Sequence, residues 1–363
     1  MFYLGERGLY CRKCIKFGTV APKEDDIKEV DAQYHLKFEL TQRQKEVSDR
    51  LCFHFSNGRN VLLEAVCGRG KTELVFAVIS MALKQSKHVG MTIARRQVVL
   101  EIASRLQEAF PAVKVTPVCM GYTADTDGDL IICTTHQLYR FTDYFDLLII
   151  DEPDAFPFKE NEVLQGLAER SCRGNRIYLT ATPDQQLKEA VLNGELEHLY
   201  LSRRPHGHDL CVPEVYYGNK ADLLIKGSSW LRKQLTLNRK VMIFVPSMRK
   251  GKRLYHLLKP FVSCCYVSSM TEGKDELISM FKKGKYRVII TTLILERGIT
   301  VENVRVMVYL AENRVFDEAA LTQISGRAGR SFRYPDGDCL FLCEGRSESI
   351  DACISSIVRA NND

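Results

Sequence analysis

A chain of 363 residues is too long for one ordinary hydrophobic core and points to two domains plus an appendage. With 45% apolar and 26% charged residues it is neither a disordered nor a fibrous sequence. The net charge is only +6, but it is unevenly spread: residues 1–205 hold 27 basic and 28 acidic residues, residues 206–363 hold 24 and 17, and none of the acidic ones falls between Leu223 and Thr271. A polyanion is the natural partner of such a stretch, although a merely solvated face would look the same in sequence.

The chain opens with Cys11 and Cys14 in "YCRKC", a C-x-x-C knuckle that supplies half of a tetrahedral zinc site. Glu6, Arg7, Arg12 and Lys13 interrupt any apolar secretory core there. The apolar run Leu74–Leu83 is far short of a membrane span, so a cytoplasmic protein that reaches a membrane only through partners is expected. Thirteen cysteines, mostly single and within strand-like or helical stretches, read as reduced and buried thiols.

Past that segment the apolar runs "VLLEAV", "MTIARR", "LIICTT", "LLIIDE" and "RIYLTA" alternate with amphipathic stretches. This is the pattern of a parallel sheet covered by helices on both faces. The proline- and histidine-containing "SRRPHGHDLCVPE" interrupts it as a connector. The alternation then resumes with "KVMIFVPS", "FVSCCYVSS", "YRVIITT", "VRVMVYLA" and "DCLFLC". The fold class read here is α/β, with two tandem domains built on parallel sheets. The expected boundaries are 1–36 for the cysteine-containing segment, 37–202, a connector at 203–214, and 215–363.

In the first domain Val61–Leu63 read as a strand and Leu74–Leu83 as a helix, with Ala65, Val66, Cys67, Gly68, Arg69 and Gly70 as the loop between. A helix N-terminus has unsatisfied N–H groups and a partial positive charge. Gly68 and Gly70 permit close backbone approach to a phosphate; Lys71 adds a charge and Thr72 a hydroxyl suited to Mg²⁺. Ala65 stands where the first glycine of a strict phosphate loop would be.

Eighty residues after Lys71, "DLLIIDEPDAF" ends an apolar strand in carboxylates. Asp151 suits Mg²⁺ and Glu152 the orientation or deprotonation of an attacking water, and Pro153 is expected to hold Glu152 extended. In "QISGRAGRS", which begins at Gln323, Arg327 and Arg330 are three apart and would share one helix face. Arginine is the residue suited to charge developing on a γ-phosphate, so hydrolysis could be coupled to domain closure.

Taken in order, "LTQRQ" (40–44), "AVCGRGKT" (65–72), "IARR" (93–96), "TTHQL" (134–138), "DEPD" (151–154), "TAT" (180–182), "IFVPS" (243–247), "TTLILERGIT" (291–300) and "QISGRAGR" (323–330) resemble the motif set of superfamily 2 helicases and translocases. "TTHQLYRF", "DEPDAFPF", "RRPHGH" and "LERGIT" narrow the resemblance to the ComFA family, cytoplasmic ATPases of DNA uptake in competent bacteria, which usually carry valine where Pro153 stands.

The resemblance implies two RecA-like domains, ATP and Mg²⁺, a single-stranded DNA partner and other competence proteins; oligomeric state is left open. It implies that Gln44 contacts the adenine, unless it is only a helix-start glutamine, and that Gln323 belongs to the nucleotide site. Thr180 and Thr182 would link nucleotide state to closure, with Glu296 and Gly298 lining the cleft from the second domain. The strand-binding track would comprise Arg95, Thr134, Thr135, His136, Ser247 and Thr291, hydroxyl and basic groups suited to phosphate contacts. The family carries two cysteine pairs before the motor, of which one is visible here, so zinc is half supported. A repair helicase with the same core, or a DNA-binding scaffold that uses ATP as a clamp, are the alternative functions.

Overall fold

The computed structural model describes residues 30–65, 71–201, 209–295, 301–329, 334 and 336–362, with the backbone of residues 2, 3, 9 and 10. Expected site residues Cys11, Cys14, Val66, Cys67, Gly68, Arg69, Gly70, Glu296, Gly298 and Arg330 lie outside the described residues. Strands β1 (Phe2–Tyr3) and β2 (Leu9–Tyr10) pair antiparallel. The rest forms two compact units that divide after Leu201.

In the first unit, helix α1 (Gln42–Ser56) starts at a reciprocal cap: the Thr41 hydroxyl accepts from the Gln44 N–H, and Gln44 Oε1 accepts from the Thr41 N–H at 2.9 Å. It leads to β3 (Val61–Ala65), then α2 (Lys71–Leu74) and α3 (Phe76–Lys84). The helix expected over 74–83 is thus longer and is interrupted at Val75. Then come β4 (Val89–Ile93), α4 (Arg96–Ala109), β5 (Val115–Val118), β6 (Leu130–Thr134), β7 (Phe145–Asp151), α5 (Glu162–Ser171), β8 (Cys172–Thr180), α6 (Gln185–Leu192) and β9 (Glu197–Leu201). The seven strands pair parallel throughout, in the order β5-β6-β4-β7-β8-β3-β9.

The central strands are apolar without alternation because both faces of the sheet are covered. On one side Val47 and Leu51 of α1, Phe76 and Ile79 of α3 and Ile102 and Leu106 of α4 pack on Leu63, Met91 and Ile149. On the other, Leu164 and Ala168 of α5 pack with Leu148 and Ile150, and Leu187 of α6 packs on Leu62. Such a two-sided core leaves the strand ends as the place where polar side chains can gather.

The second unit repeats the scheme with β10 (Glu214–Tyr217), α7 (Lys220–Thr236), β11 (Lys240–Phe244), α8 (Met248–Leu258), β12 (Cys264–Val267), α9 (Lys274–Lys282), β13 (Val288–Thr291), β14 (Val304–Tyr309), α10 (Glu318–Ser325), β15 (Cys339–Cys343) and α11 (Glu348–Asn362). Its order is β10-β15-β14-β11-β13-β12, again all parallel. Trp230 and Leu231 of α7 and Leu254, Tyr255 and Leu258 of α8 cover one face around Val241 and Ile243. All ten strands expected from apolar runs are present; β5, β9 and β10 were not expected, and each is a sheet edge.

Candidate active site

The parallel register brings the chemistry-bearing residues of the first unit to one edge. Asp151 is paired with Leu179, and Thr180 with Glu64, so the ends of β7, β8 and β3 lie side by side with strands ~5 Å apart. The last residue of β3 is Ala65, and Lys71 and Thr72 open the helix that follows the phosphate-loop segment. That first helical turn is held from two sides: Glu73 pairs with Arg105 of α4, and the Ser48 hydroxyl of α1 donates to the Leu74 carbonyl at 2.9 Å.

Glu152 corrects an expectation. Its φ of 53° lies in the left-handed region, not the extended one favoured before proline. The reason is a tight turn at the strand end, in which the Glu152 N–H donates to the Leu179 carbonyl at 2.8 Å and its own carbonyl accepts from the Ala155 N–H at 3.0 Å. A non-glycine residue held there costs roughly 1–3 kcal/mol and is a recurring mark of functional positions. The turn redirects the chain immediately beyond Asp151.

Asp154, to which the sequence reading assigned no role, is the organiser of this edge. Its carboxylate is 6% exposed and accepts from the Thr180 hydroxyl at one oxygen and the Thr182 hydroxyl, at 2.8 Å, at the other. Thr180 Oγ1 in turn accepts from the Thr182 N–H at 3.0 Å. A buried carboxylate demands such donors. The local sequence carries no signal of this role: the partners lie 26 and 28 residues away, and the neighbouring Phe156 is exposed.

Thr72 and Asp151 offer hard oxygen donors, a hydroxyl and a carboxylate, which is the donor chemistry Mg²⁺ takes. Among the described residues no group of three or more His, Cys, Asp or Glu side chains could hold a metal. Gln44 is 3% exposed, and its Oε1 is occupied in the α1 cap, where it also accepts from the Thr41 hydroxyl at 3.1 Å. The helix-start role is therefore the one the structure shows for that oxygen.

The strand-track residues are scattered in character. Arg95 is the N-cap of α4, Thr134 ends β6, and His136 is exposed in the 3-10 turn over Thr135–Arg140. Ser247 caps α8, accepting from the Lys250 N–H at 3.3 Å. Two expectations need correction. Thr135 is 3% exposed, and Thr291 is fully buried with its hydroxyl donating to the Thr292 carbonyl at 3.0 Å. Both stand where a strand gives way to a tight 3-10 turn that draws the side chain inward, so neither presents a hydroxyl surface to a ligand in this structure.

In the second unit α10 ends at Ser325. Arg327 therefore lies in a turn, with its N–H donating to the Ile324 carbonyl at 3.1 Å, and not on the shared helix face expected for Arg327 and Arg330. Gly326 closes the helix and Gly329 has φ 64°, a backbone change that an uninterrupted helix would not make. Arg327 and Gln323 are both buried, at 5% and 6% exposure.

Family models match in the same two regions: "Type III restriction enzyme, res subunit" over residues 37–185 and "Helicase conserved C-terminal domain" over 224–332. Competence protein ComFA of Streptococcus pneumoniae is 34% identical, covering 100% of this chain and 88% of that protein. Competence protein ComFA of Bacillus subtilis is 35% identical over 95% of this chain and 79% of that protein. Saccharomyces cerevisiae Dbp5 bound to RNA and ADP BeF3 shares the fold, with a TM-score of 0.65 at 16% identity over 89% of this chain and 92% of that one. With carboxylates, threonine pair and phosphate-loop helix gathered on one sheet edge, and a third of all positions identical along the length, the chain belongs to the ComFA family of competence proteins and is a helicase-type, ATP-hydrolysing motor of superfamily 2.

Proposed function

We propose that the protein uses ATP hydrolysis to move along single-stranded DNA and so drives transforming DNA into the cytoplasm, alongside other competence proteins. The observation that carries this reading is the Asp154 node. One buried carboxylate joins the segment bearing Asp151 and Glu152 to both hydroxyls of the Thr180–Thr182 turn, so a change at the hydrolytic carboxylates is transmitted to a second segment.

In this mechanism the backbone N–H groups of residues 66–70 and the Lys71 ammonium bind the phosphates of ATP. Thr72 and Asp151 would hold Mg²⁺, which would supply charge neutralisation on the phosphate oxygens when bound. Glu152, on its turn, orients the attacking water and takes its proton. Arg327 and Arg330 stabilise the charge that develops on the transferred phosphoryl group, and Gln323 supports them. Gln44, whose Oε1 is held in the α1 cap, contacts the base through its amide nitrogen. Thr180 and Thr182 relay nucleotide state through Asp154, while Glu296 and Gly298 contribute from the second unit. Arg95, Thr134, His136 and Ser247 touch strand phosphates. Recruitment to the inner membrane face would come through partners; no helix among the described residues is long and apolar enough to cross a membrane. The proposed domains are 37–202 and 215–363.

ATP turnover measured with single-stranded DNA, duplex DNA and RNA tests the reading. Stimulation by single strands, lost in Lys71→Ala, is expected. Turnover indifferent to nucleic acid would instead support a clamp, and separation of a forked duplex would favour a repair helicase.

A further inference from the structure

Read as a sequence, α8 is a basic amphipathic helix of the kind that lies on membranes or in partner grooves. The structure narrows that option, because most of its apolar side is already packed and only Met248 and Leu257 of the helix stay exposed. Leu254, Tyr255 and Leu258 are packed in the core of the second unit. Gly251 faces the edge strand so closely that a Cβ there would lie 2.4 Å from the Tyr266 ring, and the Tyr266 hydroxyl donates to the Met248 carbonyl at 3.3 Å. The helix is thus fixed as a rigid rib, and its other face is turned outward.

That outward face carries Arg249, Lys252, Arg253, His256 and Lys259, all exposed. None of them is in an ion pair among the described residues, whereas Lys226 nearby in sequence is paired with Glu214. Arg249 and Arg253, and Lys252 and His256, are each four apart and form two parallel rows. Phe261, 84% exposed, stands just beyond the helix end, its N–H donating to the Leu258 carbonyl at 2.9 Å. The helix starts at Ser247, after the carboxyl end of β11, and runs ~16 Å back toward the start of β12. Rows of cations closed by a free aromatic ring fit a phosphate backbone with stackable bases, and fit a lipid surface poorly because only a narrow apolar patch remains to insert.

We propose that the outer face of α8, ending at Phe261, is a second binding strip for single-stranded nucleic acid, leading away from the strand track at Ser247 down the side of the second unit. Phosphates pair with the cations and one base stacks on Phe261, independent of sequence. The proposal rests on the DNA-motor reading for its choice of polyanion.

The test uses the full chain and fluorescence anisotropy with labelled single-stranded DNA of about 30 nucleotides, longer than one binding unit needs, across a potassium chloride series. Quadruple neutralisation, Arg249→Gln with Lys252→Gln, Arg253→Gln and Lys259→Gln, should reduce the slope of log K against log salt by about 3, near 0.7 per lost contact. Phe261→Ala should weaken binding about tenfold with little change in slope, as expected for lost stacking. The charge-preserving set with Arg249→Lys, Lys252→Arg, Arg253→Lys and Lys259→Arg should keep the wild-type slope, which guards against a folding artefact. An unchanged slope in the neutralised protein, with single strands still stimulating ATP turnover, would overturn the strip alone. Binding of phosphatidylglycerol vesicles lost on neutralisation, with DNA binding intact, would overturn it in favour of a membrane face. A wild-type chain that neither binds nor responds to single strands would overturn the motor reading and the strip together.

Discussion

At the carboxyl ends of their strands the two units treat polar groups in opposite ways, whereas at the amino ends both join side chains across segments, Asp146 to the Arg173 fork and Asp338 to Trp230 and Gln234. At the carboxyl ends of the first, side chains from different segments are joined to each other, Asp154 to Thr180 and Thr182. In the second, the hydroxyls of Ser247 and Thr291 are used up on nearby backbone, and the cations of α8 have no acidic partner among the described residues. The first unit therefore holds an assembled polar network beside the proposed hydrolytic carboxylates, while the second leaves the cations of α8 without acidic partners among the described residues. Fixed networks suit chemistry, where reorganisation is costly; unpaired surface cations suit a polyanion whose counterions they can displace.

The contrast can be broken most forcefully at the reactive groups. Lys71→Ala and Glu152→Gln should each lower DNA-stimulated ATP turnover by about 100-fold or more, measured as phosphate release. If either retained turnover, the first unit would not be the hydrolytic one. Next comes the node itself: Asp154→Ala leaves a fully buried Thr180 hydroxyl without its acceptor and should cost about 1–3 kcal/mol, read as a lower urea midpoint, together with slower turnover. Asp154→Asn, which keeps an acceptor oxygen, should lose less.

A pH effect follows from Asp146. Burial pushes its carboxyl upward, but hydrogen bonds from His88 and the Arg173 fork outweigh that and hold it well below the usual carboxylate range. A depressed folded value stabilises above the unfolded pKa of about 3.9 and is lost as pH falls toward the folded value. The difference in unfolding midpoint between the wild type and Asp146→Asn should hence be full at pH 6 and narrower at pH 3; a gap that widened on acidification would contradict the assignment. Smallest of all, Thr291→Val in the second unit removes only a local hydroxyl-to-carbonyl bond and should lower the unfolding free energy by no more than about 1 kcal/mol, read from urea unfolding, with turnover retained.

What could be read in the sequence follows the same physics. Ten strands announced themselves because covering both sheet faces requires unbroken apolar runs such as "LLII" in β7. The unexpected β5, β9 and β10 are edges: β5 contains Pro117, β9 alternates buried and exposed positions, and β10 has no buried residue. Lys71, Asp151 and Glu152 could be singled out because residue type and spacing point to a chemistry, the one proposed above. Asp154 was not, since its importance lies in a contact across 26 and 28 residues with Thr180 and Thr182. The left-handed Glu152 and the early end of α10 were hidden for another reason: tertiary hydrogen bonding and a glycine at Gly326 overrode local preferences that pointed elsewhere.

The claim on which the motor mechanism rests is that Arg327 acts on the nucleotide held by Lys71. Single-turnover hydrolysis and fluorescent-nucleotide binding, measured side by side for Arg327→Ala in the presence of single-stranded DNA, address it directly. Binding within about twofold of wild type with hydrolysis slowed about 100-fold or more is the expected result; hydrolysis at the wild-type rate would contradict it.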